Sequence, residues 1–94
     1  MQNTIDTRLQ SGKLTAVYLK SPGSSGMHME VVTGTSSFKD KRVYTLYDVG
    51  FQGDKYMEPS TGKVFYLDKK TGSPVYTQIK NKGDRKAVEL WYYK

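Results

Sequence analysis

From residue 13 onward the chain repeats one pattern. Short runs with a period of two are cut by turns rich in Gly, Pro, Ser and Thr. Lys13 to Lys20 reads as a strand with Leu14, Ala16 and Tyr18 on one face and Thr15, Val17 and Leu19 on the other. Met27 to Thr33 and Arg42 to Val49 read as strands, joined by a polar connection over Gly34 to Lys41. Asp54 to Glu58 reads as a short edge strand that stops at Pro59. Lys63 to Asp68, Val75 to Asn81 and Ala87 to Tyr93 complete the set, separated by turns at Gly72 and Gly83. Such a pattern has no long helix to cover a sheet, so the sheet must cover itself.

The expected fold is all-β. A small antiparallel meander of six or seven short strands closes into a barrel or a two-layer sheet. Ninety-four residues make a single domain, residues 1–94. Residues 1–12 form either a short helical cap or a frayed tail. For the cap, Asn3 or Thr4 is placed to accept backbone N–H groups, Ile5 and Leu9 share a face, and Gly12 can end the turn.

The segment Gly62-Lys63-Val64-Phe65-Tyr66-Leu67-Asp68-Lys69-Lys70-Thr71-Gly72 resembles the middle hairpin of a WW domain. The family's leading tryptophan is missing, Tyr76 stands near the place of its second, and no proline follows in place. The resemblance implies a hairpin and carries no proline-peptide function across.

Composition narrows the function. The longest purely apolar runs are four residues, Ala16 to Leu19, Val64 to Leu67 and Leu90 to Tyr93. A membrane span needs about 20. No basic stretch leads into an apolar one, so a soluble, cytoplasmic protein is expected. There is no cysteine, which removes disulfides and thiolate metal sites. Enzymatic material is thin. The one histidine, His28, lies between Met27 and Met29, and serines sit in loops without a nucleophile elbow. Glu30, Asp48, Asp54, Glu58 and Asp68 are expected to pair with nearby lysines at the surface, because spacing alone brings no two of them together. A metallonuclease would need several of these acids on one cation. The expectation is therefore no catalysis, no cofactor and no metal.

Fifteen Lys or Arg stand against nine Asp or Glu, a net charge of +6. Either plain solubility or an acidic partner accounts for it. Lys69, Lys70, Lys80, Lys82, Arg85 and Lys86 fall within eighteen residues that hold one acid, Asp84. Alternation places Val75, Thr77 and Ile79, and then Val88, Leu90 and Tyr92, toward the core. Tyr76, Gln78, Lys80, Glu89, Trp91 and Tyr93 then look outward, provided neither strand bulges, with Ala87 on the face of its strand that holds Glu89 and Trp91. The first expected function is binding of single-stranded or structured nucleic acid. Tyr76, Trp91 and Tyr93 would stack bases, and Lys69, Lys70, Lys80, Lys82, Arg85 and Lys86 would meet phosphates. The competing reading puts the aromatics in the core.

The alternative function is a small inhibitor or adaptor of the virus or plasmid type. It would dock on a larger, nucleic-acid-processing enzyme through Phe38, Lys39, Lys41 and Arg42. Expected partners are thus nucleic acid or an acidic protein surface, with no membrane, and exposed edge strands leave room for a homodimer.

Overall fold

A computed structural model describes residues 1–78 and 83–92. Helix α1 (Gln2–Gln10) precedes seven strands: β1 (Thr15–Lys20), β2 (His28–Phe38), β3 (Lys41–Tyr47), β4 (Lys55–Met57), β5 (Val64–Leu67), β6 (Pro74–Tyr76) and β7 (Lys86–Trp91). The helix takes its N-cap at Met1 without a side-chain bond, so neither Asn3 nor Thr4 caps it. Its end follows the expectation: Gly12 sits at φ +71°, and Gly12 and Lys13 donate their N–H groups to Leu9 and Arg8 carbonyls. That pairing is the Schellman closure, which satisfies carbonyls the last turn would leave bare.

The strands form one antiparallel sheet in the order β6-β5-β4-β3-β2-β1-β7, a meander with the last strand added beside the first. The sheet curls into a half-barrel. Its two ends meet where Lys86 bridges Lys63 and Gln78 bridges Asp84. The Ala87 N–H donates to Gly62 O, and the Arg85 N–H donates to Thr77 O, across the same seam. Gly62 is confined there at φ +74°, where an added Cβ would stand 3.2 Å from the Ala87 backbone.

The concave side is the core. Val17 and Leu19 of β1, Val32 of β2, Tyr44 and Leu46 of β3, Met57 of β4, Val64 of β5 and Ala87 of β7 cluster there. Ile5 enters this cluster from α1 and is fully buried. Asp6, one residue on, accepts two bonds from the Arg42 guanidinium at 2.8 and 3.1 Å and a third from the Tyr44 hydroxyl at 2.7 Å. The first twelve residues are thus a docked cap.

Three expectations change. Gly34 to Phe38 continues β2, and the connection shrinks to Lys39-Asp40, both at positive φ (50° and 62°). Two such residues make the tight turn that matches hairpin twist. β4 is interior, paired with β3 on one side and β5 on the other, so it is no edge. β7 bulges: Tyr18 pairs with Glu89 and Leu19 with Ala87, leaving Val88 without a partner in β1. The extra residue turns Ala87 into the core and leaves Val88 46% exposed, reversing the in–out assignment expected for both.

Candidate functional site

Among the described residues, the basic and aromatic side chains of the last third are spread along the sheet and do not gather into one patch. At the seam, Lys86 pairs in register with Lys20 and bridges Lys63. Three lysines therefore meet there, one of them 3.5 Å from Asp84. Because Lys63 and Lys86 run antiparallel, β5 leads toward Lys69 in one direction and β7 leads toward Trp91 in the other. At ~3.3 Å per residue, Trp91 lies roughly 15 Å from Lys86, and Lys69 about 20 Å from Lys63 on the opposite side. Lys69 and Lys70 occupy an exposed turn whose geometry is set by Asp68, which accepts the Lys70 and Thr71 N–H groups at 2.8 and 3.0 Å. Those two bonds hold the Asp68 carboxyl below its ordinary pKa. Arg85 is only partly exposed, and its Nε is buried. Lys80, Lys82 and Tyr93, expected in the same site, lie outside the described residues, as does Ile79.

Tyr76 faces outward as alternation requires but is packed into an aromatic group. Phe65 is 1% exposed and meets Phe38, Tyr56 and Tyr76 at centroid distances of 5.3, 5.5 and 5.6 Å. The Tyr76 hydroxyl donates a short hydrogen bond to Glu58, which with burial pushes its pKa up to about 12. This is a second, smaller core on the convex side of the sheet. Phe38, expected as a docking anchor, belongs to it. Arg42 is held by Asp6, Lys39 lies over the Phe38 ring at 5.3 Å, and Lys41 is exposed.

A different convex surface comes from the first strands. Pairing sets Trp91, Ala16, Val31 and Tyr47 side by side across β7, β1, β2 and β3. Tyr18 lies between Glu89 and Met29 in the next row. Trp91 and Met29 are each 48% exposed, Tyr47 58% and Leu14 62%. Arg8, Lys13, Leu14, Ala16, Met29, Val31, Trp91 and Tyr92 line a groove of about 620 Å³ on this side, and Arg8 stacks over Tyr92 at 4.3 Å. Alternation in β1 had separated Leu14, Ala16 and Tyr18 from the core residues; their joining to Met29, Tyr47 and Trp91 needed the strand register.

The other unexpected feature is internal. Glu30 pairs with Val17 in register and so points into the concave side, as does Lys55 opposite Leu46. They meet His28 and Asp48 at the end of the half-barrel away from the Asp6–Arg42 contact. Lys55 Nζ lies 2.6 Å from Asp48 Oδ2 and 3.6 Å from Glu30 Oε2. His28 Nε2 lies 2.8 Å from Asp48 Oδ1 and 3.5 Å from Glu30 Oε2. The Glu30 side chain has no exposure, those of Lys55 and Asp48 have 8%, and His28 opens to solvent at 37%. Among the described residues, neither Glu30 oxygen has a hydrogen-bond partner. Burial pushes the Glu30 carboxyl up, Asp48 adds to this, and the Lys55 and His28 charges oppose it. Asp48 is also lifted by burial, but bonds from Lys55 and His28 leave it below its ordinary value. The expected surface pairing of Glu30 and Asp48 is thus replaced by a buried ionic cluster, and His28 has one partner on its own strand, Glu30, and one just past the end of β3, Asp48.

No known protein family, curated protein or solved structure matches the chain. Among the described residues, no helix is long and apolar enough to cross a membrane.

Proposed function

We propose that this chain is a non-catalytic binding protein that docks on another protein through the convex face of β7, β1, β2 and β3. The carrying observation is the row Trp91-Ala16-Val31-Tyr47, widened by Met29 and Leu14. Aromatic and Met side chains on a rigid sheet supply contact area at low conformational cost. Lys13 and Arg8 border the groove, Lys20 and Lys86 lie farther along β1 and β7, and the chain carries +6 overall. The partner surface that fits is apolar in the middle and acidic at its rim. Aliphatic Leu14, Val31 and Met29 interleave with the rings, which suits a protein surface better than a row of bases.

The test compares nuclease-treated complexes of the wild type, Met29→Glu with Trp91→Glu, and Lys69→Ala with Lys70→Ala. A stoichiometric complex should survive nuclease and the lysine changes but be lost in the convex-face variant. Equal capture by all three chains would refute the reading.

A second reading is favoured by the meeting of Lys20, Lys63 and Lys86 at the seam, with Trp91 farther along β7. Those three cations can neutralise phosphates of a single strand. Fluorescence anisotropy with a labelled single-stranded RNA tests it. Binding that weakens steeply with salt and on Lys20→Ala with Lys86→Ala supports it; absence of binding at low salt removes it.

A further inference from the structure

We infer that His28, Glu30 and Asp48 form a binding site for a divalent transition-metal ion of the zinc class, closed in the free protein by the ammonium of Lys55. One ligand atom from each of the three lies within 4.8 Å of the others, and two of the separations are 2.8 and 3.5 Å. An ion bound at ~2.0–2.2 Å holds neighbouring ligands roughly 3.0–3.5 Å apart, so small side-chain adjustments bring these atoms around one centre. One imidazole nitrogen with two carboxylates is a donor set that zinc accepts, leaving a fourth position for water.

Glu30 supplies an independent reason to expect a ligand here. Its side chain is wholly buried, its Oε2 points at His28 and Lys55, and among the described residues neither oxygen accepts a hydrogen bond. A buried carboxylate in that condition is strongly unfavourable unless a cation approaches it directly. Lys55 does so only at 3.6 Å, because its short contact is with Asp48. Two carboxylates against one ammonium also leave the cluster one positive charge short when both are ionised and His28 is neutral. His28 stands at the solvent side and gives an ion a way in.

Lys55 has somewhere to go. Its Nζ already lies 4.5 Å from the centroid of the Phe51 ring, so leaving the carboxylates does not strand it without a partner. Metal entry would exchange the ammonium for a divalent ion at Asp48 and Glu30 and slide the ammonium toward Phe51.

The test is titration of the full chain with Zn²⁺ alone, after stripping with chelator, by calorimetry and by NMR of the imidazole nitrogens. With one histidine in the chain, the imidazole signals belong to His28. One equivalent of Zn²⁺ should shift the Nε2 resonance and give saturable heat. His28→Ala, at a partly exposed position, should weaken binding by more than about tenfold, since even outer-shell partners are worth ~10–100-fold. Lys55→Met should tighten it by a comparable factor, because the competing cation is gone. Adventitious surface binding would leave Nε2 unmoved and Lys55→Met without effect. Either of those results, or an affinity weaker than about 1 mM, overturns the inference.

Discussion

Replacing Lys55 by Met keeps the length and most of the volume of a buried side chain and removes one charge. In the metal-stripped protein, Glu30 and Asp48 would then face each other without the cation that lies 3.6 and 2.6 Å from them. Removing one partner of a buried ion pair costs about 3–5 kcal/mol, because the remaining charge stays buried and unpaired. The lower end applies here, since Glu30, already lifted by burial, can take up a proton. About 3 kcal/mol is large against the roughly 5–14 kcal/mol expected of a domain this size. The sign with pH follows from the same groups. Without Lys55, Glu30 keeps the upward push of burial and Asp48 loses one of the two bonds that hold it low, so the cost is full at neutral pH and fades as falling pH protonates the raised Glu30 carboxyl. Urea unfolding of wild type and Lys55→Met, in chelator at neutral pH and near pH ~4, reads both quantities. A difference under about 0.5 kcal/mol at neutral pH, or one undiminished in acid, would refute the electrostatic reasoning.

Ile5→Ala should cost about 2–4 kcal/mol by the same measurement, because this fully buried side chain is what α1 inserts into the core. Gly62→Ala should destabilise more than Gly12→Ala. Both glycines have positive φ, but an added Cβ meets nothing within 4 Å at Gly12 and the Ala87 backbone at 3.2 Å at Gly62. Acid unfolding followed by circular dichroism should set in below about pH 4. Asp6 is held low by Arg42 and Tyr44, and Asp48, Glu58 and Asp68 also lie below their ordinary values. The stability they contribute is present above their unfolded values and is lost as pH falls through the folded ones. Glu30, raised, acts in the opposite sense but is one group against four.

Alternation in the sequence was enough to assign the all-β class, a count of six or seven strands where the sheet has seven, and the two faces of β1. It failed where one residue was inserted. The β7 bulge turned Ala87 inward and Val88 outward, and no glycine or other local mark announced it. The Lys39-Asp40 turn was hidden for a similar reason: the pair takes positive φ without glycine or asparagine. The ionic cluster joins residues 28, 30, 48 and 55 from separate segments, which only register can bring together. A trace of it was present, since Glu30 shares parity with Val32, and Lys55 with Met57, on faces that strand periodicity sends inward. A charge at an inward position wants a counter-charge there. The convex apolar row was likewise split between strands whose order the sequence does not state.

The order of the sheet also constrains how the chain can assemble. The hairpins from β1 to β6 join neighbours in sequence and can form as soon as each pair of strands exists. β7 is made last and closes the sheet: Lys86 at its start bridges Lys63, Asp84 just before it bridges Gln78, and Trp91 at its other end pairs with Ala16 of β1. Until it arrives, the backbone rim of β1 waits open beside Val17 and Leu19, ready to template another chain. Growth on the ribosome therefore passes through an adhesive interval that ends only when the final ribbon is threaded home, and crowding of nascent chains is the hazard this topology carries.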